Sequence, residues 1–132
     1  MKISGLFDVK LAPLETYAQG EAGINLGRMS LDKEFHGELE AKSQGEMLTA
    51  MTVTQGSAGY VAIEQVSGTL ANRVGSFVLQ HYGLMNKGSH QLTLEVVPGS
   101  GSGELAGLIG SLQIRVEDGQ HFYDFDYDFD ID

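Results

Sequence analysis

Leu31-Asp32-Lys33-Glu34-Phe35-His36-Gly37-Glu38-Leu39-Glu40-Ala41 alternates between two chemistries along its whole length. Leu31, Phe35, Leu39 and Ala41 share one parity with Lys33 and Gly37, while Asp32, Glu34, His36, Glu38 and Glu40 hold the other. Successive side chains of an extended chain point to opposite faces, so this spacing predicts a strand over 31–41. Its apolar set faces inward and its acids face water. Residues 3–11 read the same way, with Phe7, Val9 and Leu11 on one face, as do Leu92, Leu94 and Val96 in 91–97. Leu108, Leu112, Ile114 and Val116 form another such set in 108–116. No window carries a long apolar stripe of period 3.6, so little helix is expected.

Eighteen glycines punctuate these runs, as tight turns between many short strands require. Gly68, Leu70, Gly75 and Phe77 have the same spacing as Gly103, Leu105, Gly110 and Leu112. Gly37, Leu39, Gly45 and Met47 follow it with one extra residue. Each unit reads as strand end, turn and strand start, which predicts successive hairpins. About seven or eight strands with one apolar face suit a closed barrel or a sandwich, and the pattern alone leaves that choice open.

The final ten residues, 123–132, carry the most regular alternation. Tyr123, Phe125, Tyr127, Phe129 and Ile131 interleave with Asp124, Asp126, Asp128, Asp130 and Asp132. Burying the aromatic face gains roughly 2 kcal/mol per ring, whereas burying the acids desolvates several charges. The rings are therefore expected inside, with strand pairing fading after about Tyr127. The aspartates protect a strand edge against pairing with other chains. Phe129 and Ile131, if held, are expected to cover a groove or a partner subunit.

Composition narrows the function. At 132 residues the chain suits one domain with a real core. It has no cysteine, which excludes disulfides, thiolate metal sites and a cysteine nucleophile. Lys2, Ser4, Asp8 and Lys10 break any apolar leader, and no run nears a membrane span, so a cytoplasmic protein is expected. The net charge of −10 disfavours nucleic acid and anionic lipid as partners.

Three segments resemble a known family. They are Gly75-Ser76-Phe77-Val78-Leu79-Gln80-His81, Val97-Pro98-Gly99-Ser100-Gly101-Ser102-Gly103-Glu104-Leu105 and His121-Phe122-Tyr123. In order and spacing they are similar to a small bacterial family catalogued as a domain of unknown function, whose fold is similar to the allene oxide cyclase barrel. The resemblance is strongest over 55–127, and residues 1–54 agree only as strands. It implies a small closed antiparallel barrel and no established activity. The cyclase's site residues find no one-by-one match in this chain.

Candidate site residues follow from parity. His81 shares a face with Phe77 and Leu79, where an imidazole serves as a proton shuttle in a cavity or as a core group satisfied by a backbone carbonyl. Glu64 shares a face with Tyr60, Ala62 and Val66, but Val61 and Ile63 make the opposite face equally apolar, so the alternation does not orient it. Tyr60, Glu64, Gln80 and His81 are the polar groups expected near mid-strand in a binding interior. Met47, Met51, Phe77 and Phe125 are the side chains that would fill that interior instead.

His36, His90 and His121 do not cluster with each other, and no histidine–carboxylate spacing suggests a metal. The Pro98–Glu104 loop lacks the lysine and hydroxyl of a phosphate-binding loop and reads as a flexible turn. No catalytic residue, metal or cofactor is assigned. The leading expectation is a barrel binding a small apolar molecule. Its alternatives are a pocketless interaction protein acting as a homo-oligomer, and an isomerase- or cyclase-like enzyme using His81 or Glu64.

Overall fold

The computed structural model describes residues 1–130. Among them are nine strands and no helix. They are β1 (Lys2–Leu14), β2 (Asn25–His36), β3 (Leu39–Met51), β4 (Ala58–Leu70), β5 (Arg73–Asn86), β6 (Ser89–Val96), β7 (Ser102–Gly103), β8 (Leu108–Glu117) and β9 (Gln120–Phe129). Every pairing is antiparallel, in the order β4-β3-β2-β1-β9-β8-β6-β5, and β5 returns to β4 to close the ring. Eight strands form the barrel, and β7 adds to the start of β5 through Gly75–Gly103 and Ser76–Ser102. The choice between barrel and sandwich is settled by the β4–β5 pairing. No helix is present to cross a membrane among the described residues.

The expected strand over 31–41 is in fact two strands and the turn between them. β2 ends at His36 and β3 begins at Leu39, with Phe35 opposite Ala41. Because two odd-numbered residues face each other across this hairpin, apolar parity runs unbroken through the turn. Leu31, Phe35, Leu39 and Ala41 are all buried, and Lys33 is buried with them. The glycine repeat holds for two units: Leu70 and Phe77 flank one turn, Leu105 lies in the turn that leads to Leu112 of β8, and all four are in the core. The third unit fails, because Leu39 to Met47 lies within one strand, β3.

The aromatic terminus packs as its chemistry demands. Tyr123, Phe125 and Tyr127 are buried, and Phe125 stacks on Phe77 with ring centroids 5.9 Å apart. Tyr123 reaches across the interior, where its hydroxyl donates to the His36 carbonyl at 3.0 Å and accepts the Leu39 N–H at 3.3 Å. Asp124, Asp126 and Asp128 face outward, and Arg115 Nε donates to Asp124 at 2.6 Å. Pairing does not fade at Tyr127. It continues to Phe129 opposite Leu108, followed by Asp130 N–H donating to the Gly107 carbonyl. Arg73 lies over the Phe129 ring at 4.4 Å, so this ring is covered from within the chain. Ile131 and Asp132, and the expectation attached to Ile131, lie outside the described residues.

The loop expected to be a flexible turn is tied down. Ser100 Oγ accepts the Val78 N–H at 3.0 Å, and the Glu104 carboxylate accepts the Val74 N–H at 2.9 Å. Leu105 follows β7 and is buried in the same core cluster as Leu108 and Leu70, so this segment plugs one end of the barrel. At the other end, where β3 and β5 finish, inward-parity residues are open. Leu92 is 40% exposed, Leu11 43% and Met51 52%.

Candidate functional site

A buried carboxylate marks the level at which the core changes from filled to open. Glu64 points into the barrel from β4 and is fully buried. It sits opposite Gly45 of β3 on one side and Leu79 of β5 on the other. A Cβ added to Gly45 would fall 2.8 Å from the Glu64 Cβ and 2.0 Å from the Ile63 carbonyl oxygen, so only glycine lets this side chain lie across β3. Ser43 and Lys33 face each other one step further along the same face, on β3 and β2. The carboxylate thus reaches them diagonally.

Three groups satisfy it. Lys33 Nζ donates to Oε2 at 2.8 Å, and Ser43 Oγ donates to Oε1 at 2.6 Å. His81 Nε2 also bonds Oε2. An ionised carboxylate only accepts, so Nε2 carries the proton in that bond. Burial pushes the Glu64 carboxyl up, but the His81 hydrogen bond and the attraction of Lys33 outweigh it and hold it at about 2. The Lys33 ammonium lies 5.0 Å from the Phe7 ring centroid and 5.8 Å from that of Phe35, which replaces part of its lost hydration. Among the described residues no fully buried side-chain nitrogen or oxygen lacks a partner.

Above this network the interior opens. Met47, Thr49, Met51, Tyr60, Met85 and Leu92 line an apolar mouth of about 270 Å³ between β3, β4, β5 and β6. The Tyr60 ring meets His81 edge-on, with centroids 6.1 Å apart, and lies against Gly83. A Cβ on Gly83 would sit 2.3 Å from Tyr60 Cε1, so the glycine makes the berth for the ring. Burial raises the Tyr60 hydroxyl above its ordinary range, with help from the Glu64 charge, so it stays protonated. Two polar tips remain free. The Tyr60 hydroxyl and His81 Nδ1 have no partner among the described residues, and since no sealed atom is unsatisfied, both border open space.

The structure therefore brings together three of the four expected site residues, Tyr60, Glu64 and His81, and leaves out the fourth. Gln80 is exposed on the outer wall. Its parity with Val78 and Tyr82 carried that signal. His81 is satisfied by the Glu64 carboxylate and not by a backbone carbonyl. Lys33 and Ser43 were missed as site residues, although Lys33 shares the inward parity of Phe35. The interior is part filled: Phe77 and Phe125 are sealed in the core, while Met47 and Met51 border the mouth. His36 pairs with Asp8 on the outside at 3.0 Å. Among the described residues no three groups of metal-ligating type gather.

Fold and site together define a small closed antiparallel barrel, plugged at one end, whose open end has an ionised hydrogen-bonded floor. The chain belongs to the family described as protein of unknown function DUF3224, whose model matches residues 3–127. The match takes in nearly all of the first 54 residues, where the sequence motifs had supported strands alone. A crystal structure of a protein with unknown function from the same family, from Shewanella oneidensis MR-1, is 62% identical. The likeness covers 98% of each chain with a TM-score of 0.96. No curated protein matches the chain.

Proposed function

We propose that the barrel binds a small, largely apolar molecule in its open mouth, with one polar group of the ligand turned toward Tyr60 and His81. The observation that carries this reading is an apolar lining that includes Tyr60, whose hydroxyl is unpartnered and whose ring meets His81 edge-on. A pocket that fixes a ligand commonly combines many apolar contacts with few polar ones. A volume of about 270 Å³ suits a molecule of one or two rings or a short chain. A cytoplasmic setting belongs to the same proposal and is tested by cell fractionation.

Native mass spectrometry of the full chain, after incubation with a small-molecule extract of its own cells, tests the reading. A one-to-one adduct is expected, and Gly83→Leu, which fills the mouth, should lack it. An adduct retained by Gly83→Leu would place binding elsewhere and overturn the reading.

A second reading has its own support. Leu48, Val61 and Tyr82 are cross-strand neighbours on the outer wall and are 57%, 47% and 49% exposed. Arg28 and Glu46, joined at 2.6 Å, stand at the rim of this groove. A second copy related by a two-fold axis would bring Glu46 to Arg28 and Arg28 to Glu46 while covering the apolar strip. Sedimentation equilibrium should then give a dimer that Val61→Glu dissociates, and a monomeric parent chain would rule it out.

A further inference from the structure

The mouth and the His81–Glu64 pair beneath Tyr60 hold the parts of a proton-transfer site, an inference that rests on the binding reading above. We propose that His81 and Tyr60 catalyse proton transfer at the carbon next to the carbonyl of a small apolar ketone, with Glu64 as the positioning residue. The geometry has three elements. Glu64 Oε2 accepts a hydrogen bond from the Nε2–H of His81, which leaves the Nδ1 lone pair as the free basic position of a neutral imidazole. His81 is held in that orientation inside the barrel, almost wholly buried. The Tyr60 ring lines the mouth and stands edge-on to His81, with ring centroids 6.1 Å apart and its hydroxyl unpartnered.

The roles follow from charge. When Nδ1 takes the proton, the C–H bonding pair becomes a carbon–carbon double bond and the carbonyl π pair moves onto oxygen. The enolate oxygen then accepts a hydrogen bond from the Tyr60 hydroxyl, which burial keeps protonated. The imidazolium formed on His81 is stabilised by the Glu64 carboxylate it already contacts. Returning the proton from Nδ1 to the γ carbon of a β,γ-unsaturated ketone completes an isomerisation to the conjugated α,β-ketone. No oxidant, reductant or metal is consumed. Lys33 and Ser43 occupy other lone pairs of Glu64, so the carboxylate stays ionised and in place while His81 changes charge. A ketone seated between Met47, Met85 and Leu92 would displace water from around the enolate.

The test uses the full chain and the ketone 3-cyclohexenone. Conversion to the conjugated enone is followed by ultraviolet absorbance, and binding by NMR shifts of the Met47, Met51 and Met85 methyl groups. Expected are shifts at these methyls, and conversion that His81→Gln reduces to the buffer rate. Gln at 81 still donates to Glu64 but offers no base. Tyr60→Phe leaves the Glu64 network untouched and should slow conversion by about 100-fold or more. It also serves as the decisive variant if His81→Gln does not fold. Methyl shifts without conversion above buffer would overturn the proposal and leave the binding reading standing. Conversion unchanged in Tyr60→Phe would remove Tyr60 from it. An absence of methyl shifts would overturn both.

Discussion

Lys33 and Glu64 lie 31 residues apart in sequence, yet their charged atoms meet at 2.8 Å inside the barrel, on β2 and β4 with β3 between them. Lys33 is 6% exposed and Glu64 not at all, and the lost hydration of the carboxylate is offset by the His81 hydrogen bond and by the Lys33 charge. Such a pair is a weak source of net stability, but breaking it is costly.

Lys33→Met should therefore destabilise the protein by about 3–5 kcal/mol, because the Glu64 charge is left without its cation. Adding Glu64→Leu should recover much of that loss, since the double variant buries no unpaired carboxylate. Urea melts of the single and double variants measure the difference. A single variant as stable as the parent would mean that water reaches Glu64.

Acid should weaken the fold through the same carboxylate. Its folded pKa of about 2 lies below the ordinary value of 4.5, so the unfolded chain takes up this proton first as pH falls. The stabilisation is complete above pH 4.5 and is gone once pH has fallen through about 2. It amounts to about 3 kcal/mol. Melting curves between these limits should show a steeper decline for the parent than for Glu64→Gln, and parallel declines would place the acid sensitivity elsewhere.

The last strand yields a paired prediction. Phe125→Ala should cost about 3–5 kcal/mol, because it empties a site 1% exposed and stacked on Phe77. Asp126→Asn, on the outer face, should fall within about 0.5 kcal/mol of neutral. The reverse order in denaturant melts would show β9 turned inside out.

Gly83→Ala should act on the mouth more than on the fold. The new Cβ would lie 2.3 Å from Tyr60 Cε1, and the ring has room to swing outward because Tyr60 is only half-buried. Ligand affinity should fall at least about tenfold while stability changes by about 1–3 kcal/mol. Isothermal titration with cyclohexanol reads the first effect and thermal melts read the second.

How much was legible in the sequence depends on which relationship carried it. Period-two alternation oriented Tyr123, Phe125 and Tyr127 correctly, because along one strand side-chain direction depends on the chain alone. The turn after His36 was invisible for the same reason, since a hairpin that faces Phe35 to Ala41 preserves parity. The fourfold cluster of Lys33, Ser43, Glu64 and His81 depends on the register of four strands, and no local spacing records a register. Yet two of its members carried a signal individually: Lys33 among apolar neighbours of its own parity, and His81 beside Phe77 and Leu79. Gln80 shares its parity with Val78 and Tyr82, and parity, not nearness to His81 in the chain, sets its side of the wall. The open mouth had no sequence signature, because Met47, Met51, Leu92 and Met85 look alike whether they fill a barrel or line one.

The most direct measurement of the central claim is a methyl NMR titration of the methionine-labelled full chain with cyclohexanol. Four of the five methionines report from two places: Met47, Met51 and Met85 line the mouth, while Met1 lies at the far end of the barrel. The binding account predicts saturable shifts of Met47, Met51 and Met85 with Met1 unmoved, and their loss in Gly83→Leu. Saturable binding that leaves the three mouth methyls in place, or no binding at all, would contradict it.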